Sequence, residues 1–268
     1  MNLARITRRF APRIVAGFAS VAFAAAPIGV GACPGVQPGG FLRTEGANCT
    51  FNFLFKGSDG NTYIGTAGHC YHDAVSEVRV WTGDTGPVVA SLSDQSEVGS
   101  ITSAGEPIGH WVFKAMQGNP LTRDELDFGL IKVNKNVKTS PQMCHFGGPT
   151  GINETTSAEA EYVHYYGNGK VFRDSVRART AIAPSGFVDV RHVYAEGIAS
   201  PGDSGSGVID ESGRAIGVLV AVGVLFDSTP PGADGDFGHL EILRLRPQLD
   251  VAEKKLGIRL KLITAKSL

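Results

Sequence analysis

Apolar runs in this chain are short. Almost every one is stopped within a few residues by Gly, Ser, Asp or Pro, and the chain holds 35 glycines. Long amphipathic stretches are scarce, so the pattern favours many short strands joined by tight turns, an all-β sandwich or barrel. One stretch, residues 247–256, reads as a helix. Pro247 suits its first turn, Gly257 suits its stop, and Leu249, Ala252 and Leu256 share one face.

Taken in order, the strand candidates are 49–55 and 62–66 around a turn at 56–61, then 76–81, 87–91, 109–115 and 128–133. Residues 34–48 are rich in Gly and Pro and read as an extended lead-in. Beyond a linker-like stretch at 134–151, further candidates are 160–166, 170–177, 180–183, 187–193, 207–210 and 215–225, with a Pro/Gly-rich loop at 227–236. Roughly equal strand numbers in the two halves point to two antiparallel β-barrels of about six strands each, followed by the C-terminal α-helix. The division expected is 1–32 signal peptide, 33–140 N-terminal barrel, 141–154 linker, 155–246 C-terminal barrel and 247–268 helix and tail.

The first segment carries Arg5, Arg8, Arg9 and Arg13, then an apolar run over 14–26, then small residues ending Val30-Gly31-Ala32. Charged, apolar and small-residue regions in that order make a secretory signal, so an exported, extracellular chain is expected. Residues 1–32 hold four of the 25 basic residues and none of the 26 acidic ones, so the remainder carries a net charge of −5. Nothing in that balance points to a nucleic-acid surface. The basic tail, with Lys254, Lys255 and Arg259, reads as a solvated helix face.

Four cysteines, Cys33, Cys49, Cys70 and Cys144, form an even count in an exported chain, and disulfides follow. The sequence alone allows three connectivities. The hairpin read over 49–66 brings Cys49 near Cys70, which leaves Cys33 for Cys144. No zinc-like spacing is present, so no metal or other cofactor is expected.

Three polar residues stand at strand mouths or tight turns: His69 in Thr66-Ala-Gly-His-Cys70, Asp127 before Phe128-Gly-Leu-Ile131, and Ser204 in Gly202-Asp-Ser-Gly-Ser-Gly207. A serine hydroxyl needs a base within hydrogen-bond reach, and histidine's ordinary pKa suits that task. The histidine in turn needs an acid to fix its tautomer. Asp124 competes with Asp127 for that place, but the apolar strand begins right after Asp127. Glycines around Ser204 let the backbone turn tightly and bring the amides of Gly202 and Ser204 together, as an oxyanion requires.

These three boxes, in this order, resemble the histidine, aspartate and serine boxes of chymotrypsin-like serine endopeptidases. The resemblance covers most of 45–257 and implies the two-barrel chymotrypsin-like fold. It also implies catalytic His69, Asp127 and Ser204, an oxyanion hole at the Gly202 and Ser204 amides, and a primary pocket near Ile198 and Ala199. A Cys49–Cys70 bridge resembles the family's histidine-loop disulfide, and Cys33–Cys144 has a parallel there too. The chain departs from the vertebrate pattern at Ser206-Gly207, where many relatives have Gly-Pro. It has no Ile-Val-Gly-Gly start to pair with Asp203, no cysteine beside the serine box and no room for a long propeptide. Together these features resemble bacterial secreted members, and they leave the partner of Asp203 open among the Arg and His residues of 164–192.

The expected activity is peptide-bond hydrolysis through an acyl-enzyme. Isoleucine at 198, where an aspartate would select Arg or Lys, implies preference for an apolar or small residue. Expected partners are a polypeptide substrate and a proteinaceous inhibitor, with no nucleic acid, no membrane after signal removal, and a monomeric state. The competing functions are a non-catalytic binding protein on the same fold, and an esterase or narrow-specificity peptidase.

Overall fold

The computed structural model describes residues 35–44, 47–71, 79–90, 106–117, 126–155, 161–172, 175–185, 189–222 and 239–268. The signal segment 1–32, Cys33, His72, Asp124 and the 227–236 loop lie outside them.

The first half builds seven strands: β1 (Phe41–Thr44), β2 (Ala47–Thr50), β3 (Leu54–Gly57), β4 (Thr62–Thr66), β5 (Arg79–Ala90), β6 (Glu106–Gln117) and β7 (Leu126–Val133). The second half adds β8 (Glu161–Tyr166), β9 (Ala178–Ala183), β10 (His192–Glu196), β11 (Gly207–Asp210), β12 (Ala215–Val222) and β13 (His239–Arg244). The helix α1 (Leu245–Leu256) and the short β14 (Leu260–Leu262) end the chain.

Strands β8 to β13 close into a six-stranded barrel in the order β10-β13-β12-β11-β8-β9. The other sheet has eight strands, β14-β3-β4-β7-β6-β5-β1-β2, where six were expected. The lead-in supplies part of the excess. Instead of running extended, it forms β1 and pairs with β2 from Phe41↔Thr50 to Thr44↔Ala47. The tail supplies the rest: β14 lies antiparallel on β3, Leu260↔Gly57 to Leu262↔Phe55, and occupies an edge that would otherwise be open.

Several strand boundaries differ from the sequence pattern for identifiable reasons. The strand expected over 49–55 is broken at 51–53, because the Asn52 side chain takes the Phe53 amide at 2.6 Å. The two strands expected at 76–81 and 87–91 are one: β5 absorbs Gly83, Asp84 and Gly86 in bulges, with register shifts between Thr82 and Thr85 and between Thr85 and Pro87. Residues 170–172 and 175–177 are not a strand. Their amides turn back locally, Phe172 to Gly169 O at 3.0 Å and Val176 to Phe172 O at 2.7 Å. β13, which the pattern did not announce, pairs with both β10 and β12 and so completes the closed barrel.

The buried residues form two clusters, the larger centred on the first sheet but taking in Ile209, Val218 and Leu243 of the closed barrel. Phe51, Phe53, Phe55, Phe113 and Phe128 are fully buried in the first cluster, where Phe55 and Phe128 meet edge to face with centroids 6.4 Å apart. Val163, Val193, Val208, Ile216, Leu219 and Ile242 fill the closed barrel. The helix starts two residues before the expected Pro247. It packs Leu245, Leu249 and Ala252 against the first cluster and stops at Gly257, whose φ of 67° places it in the left-handed cap. A second-barrel segment thus runs back across the first sheet.

Candidate active site

His69 sits in a single 3-10 turn, Gly68–Cys70, directly after β4. Asp127 is the second residue of β7, the neighbour of β4, with Thr66 paired to Gly129. This register puts the carboxylate under the histidine. Asp127 Oδ2 lies 2.6 Å from His69 Nδ1, and Asp127 Oδ1 accepts the main-chain amide of His69 at 2.8 Å. Both oxygens therefore face one residue, which fixes the ring's orientation and makes Nδ1 the protonated nitrogen. The Asp127 side chain is 8% exposed and that of His69 26% exposed, so the acid is buried while the ring keeps an open edge. From α1, the buried Gln248 presents Oε1 to the Asp127 amide at 3.3 Å, a support that no local motif announced.

Cys49 and Cys70 form a disulfide, as expected, and so clamp the turn carrying His69 to β2. Cys144 is also disulfide-bonded; Cys33, its expected partner, lies outside the described residues.

Ser204 is half-buried, in the turn before β11. Two contacts seat this turn against the histidine side. The Ser204 carbonyl accepts the Thr50 amide at 2.8 Å, and Cys70 Sγ lies 3.8 Å from the same oxygen. Gly205 touches the chain leading to His69. Its φ is 89°, and a Cβ there would stand 2.1 Å from Thr66 Oγ1 and 2.9 Å from the Ala67 nitrogen. Only glycine meets both demands.

Along this turn the amides alternate between engaged and open. Those of Asp203, Gly205 and Ser206 donate to Ser200 O, Leu219 O and Asp203 O at 3.0, 2.7 and 3.0 Å. The amides of Gly202 and Ser204 donate to no backbone or side-chain acceptor among the described residues. Two unengaged donors two residues apart on a tight turn are the arrangement that holds an anionic oxygen.

Asp203 is 1% exposed and finds its partner in Arg179, one of the candidates in 164–192. The guanidinium grips both carboxylate oxygens, with Nη1 to Oδ2 at 2.7 Å and Nη2 on Oδ1. The amides of Gly169 and Ser200 add bonds at 2.7 and 2.8 Å. Arg179 in turn lies over the rings of Tyr165 and Phe172, 4.9 and 5.5 Å from their centroids.

Ile198 is 41% exposed and Ala199 1% exposed. The carbonyl of Ile198 is drawn inward by the Tyr165 hydroxyl and by Arg179 Nη1 at 3.2 Å. Burial pushes the Tyr165 phenol well above its ordinary range, so it stays a donor.

One group of described His, Cys, Asp and Glu side chains is close enough to hold a metal ion, Cys49, His69 and Cys70. Its two sulfurs are joined to each other and are not thiolates, and His69 Nδ1 is taken by Asp127, so the group does not fit a metal. Among the described residues no helix is long and apolar enough to cross a membrane.

The fold is similar to that of Thermobifida fusca protease A, at 17% sequence identity and a TM-score of 0.51, over 85% of this chain and 99% of that one. A Nocardiopsis protease shares 16% identity over 84% of this chain and 100% of its own, with a TM-score of 0.49. No curated protein sequence matches the chain. The sequence model of the trypsin family matches residues 58–232, a span that takes in His69, Asp127 and Ser204. That match covers more than half of the 268 residues, and the chain belongs to the trypsin family of serine endopeptidases.

Proposed function

We propose that Ser204, His69 and Asp127 act as one catalytic triad in an exported endopeptidase. Ser204 Oγ attacks the peptide carbonyl and His69 Nε2 takes its proton. Asp127 holds the ring and stabilises the imidazolium. The amides of Gly202 and Ser204 receive the oxyanion. His69 then protonates the leaving amine, and water releases the acyl group. The observation that carries this reading is the carboxylate of Asp127 bonded to both the ring and the amide of His69, beside a serine turn whose amides at 202 and 204 are open.

The arginines and apolar run of the first segment support export through a signal peptide, and the paired cysteines fit an oxidising compartment. Isoleucine rather than an acid at 198 supports preference for an apolar or small side chain before the scissile bond. The substrate is a polypeptide, and the enzyme works as a monomer without metal or cofactor.

Digestion of a peptide library by the oxidised protein tests activity and preference together. Cleavage after small or apolar residues, abolished in Ser204→Ala, is the expected result. Efficient cleavage after Arg with none after Leu or Phe would overturn the specificity. Esters cleaved and peptides refused would make the chain an esterase, and inertness towards both would make it a binding protein.

A further inference from the structure

A trans peptide directs its carbonyl and its amide to opposite sides, so whatever grips the carbonyl also aims the N–H at the other end. Behind Ser204, the Asp203 carbonyl accepts the Ser206 amide at 3.0 Å and the Ser206 hydroxyl at 2.6 Å. The Ser204 amide is thereby turned to the opposite face. Behind Gly202, the Pro201 carbonyl accepts the Lys170 amide at 2.8 Å. The peptide between the two donors is held at both ends: Asp203 donates to Ser200 O at 3.0 Å, and the Gly202 carbonyl accepts the Thr50 hydroxyl at 2.8 Å.

Thr50 grips both residues at once, since its amide also donates to the Ser204 carbonyl at 2.8 Å. Its hydroxyl has one proton to give, and its surroundings dictate where that goes. The amide and side-chain nitrogens of Asn168 both donate to Thr50 Oγ1 at 3.1 Å, which leaves the O–H for Gly202. Asn168 is held the right way round by Arg177 Nη1 on its Oδ1 at 2.9 Å and by its own Nδ2 on Gly39 O at 2.9 Å. Thr50 and Ser206 are each 0% exposed, Asn168 2% and Arg177 4%. Neither hydroxyl lies on the open side of the turn, and neither belongs to the triad.

We propose that Thr50 and Ser206 are positioning residues that set the oxyanion hole from behind, Ser206 by aiming the Ser204 amide and Thr50 by locking the peptide that spaces the two donors. The proposal rests on the active-site reading above. Ser206 stands where the serine box departs from the Gly-Pro of the family pattern described above.

The test compares the oxidised wild-type protein with Ser206→Ala, Thr50→Val and Thr50→Ser, using a peptide amide substrate and a peptide boronic acid that forms a tetrahedral adduct. Ser206→Ala keeps the amide bond to Asp203 and removes only the hydroxyl; Thr50→Val keeps the shape. Each is expected to lower kcat about tenfold with KM nearly unchanged, less than the ~10²–10³-fold typical of losing a donor outright. Boronate affinity should fall in parallel with kcat, and Thr50→Ser should recover most of it. Wild-type kcat in folded Ser206→Ala and Thr50→Val overturns the proposal while leaving the triad intact. So does a loss confined to KM, or Thr50→Ser as impaired as Thr50→Val. If Thr50→Val does not fold, Ser206→Ala decides alone. A wild-type protein that neither cleaves nor binds boronate sinks the active-site reading, and the proposal with it.

Discussion

Asp203 is a carboxylate in a place water does not reach, and Arg179 is what makes that tolerable. Removing the cation leaves an uncompensated buried charge, which costs about 3–5 kcal/mol when a buried pair is broken. Arg179→Met should therefore lower urea stability by about that much, and activity should fall with it, because Asp203 shapes the turn bearing Ser204. An unchanged denaturation midpoint would contradict this. Two carboxylates at the closed barrel respond to pH in opposite senses. Glu161 is pushed up by burial and by the nearby Asp210 charge. A raised folded-state value favours the protonated form, so at neutral pH the ionised side chain opposes folding. Glu161→Gln should raise Tm at pH 7, and the gain should fade as pH falls through the glutamate range. For Asp189, burial acts upward but is outweighed by the amides of Arg191 and His192 and by His192 itself, and the net shift is downward. Its stabilisation is present above the ordinary aspartate range and is lost as pH falls through the depressed value. Asp189→Asn should lower Tm at pH 7 and converge on wild type in acid. The triad candidates were legible because each sits in a short local motif. Arg179 was not, because its meeting with Asp203 depends on how β9 registers in the closed barrel.

Among the elements, β14 shows how three residues at the end of a chain can matter. Leu260 and Leu262 are 4% and 7% exposed, and together they cover the outer edge of β3. Deleting residues 258–268 should lower Tm and raise the tendency to associate, since an open edge strand pairs with its own kind. Light scattering and calorimetry on the truncated chain read both effects; an unchanged Tm with no association would contradict them. A strand this short carries too little alternation to stand out from a tail. β1 was hidden for a different reason: Gly39 and Gly40 beside it read as loop, yet Gly39 donates to Phe51 O at 2.9 Å and feeds the chain into the hairpin. The hairpin β3–β4, strand β11 and helix α1 were legible, because apolar alternation, turn residues and the Pro and Gly at the helix ends all agree. β5 was split in the pattern because the Gly and Asp residues between 81 and 87 read as a break, and pairing with β6 takes up Gly83, Asp84 and Gly86 as bulges.

At the scale of the whole molecule, the site belongs to neither sheet alone. His69 and Asp127 hang from β4 and β7, while Ser204 precedes β11 of the closed barrel. Thr50 and the Cys49–Cys70 bridge tie one side to the other through the Ser204 carbonyl. Opening that disulfide, which closes a loop of 21-residue separation, should cost about 3 kcal/mol by chain entropy. It should also lower activity before the protein unfolds, a sequence that parallel assays of hydrolysis and fluorescence during reduction would follow. Simultaneous loss of both signals would contradict it. The central claim is that His69 activates Ser204. It is tested most directly by mapping the adduct formed with a peptide phosphonate and following its rate against pH. The account predicts modification at Ser204, a rate that rises with deprotonation of one histidine, and loss of labelling in His69→Ala. An adduct elsewhere, or a His69→Ala protein labelled as fast as the wild type, would contradict it.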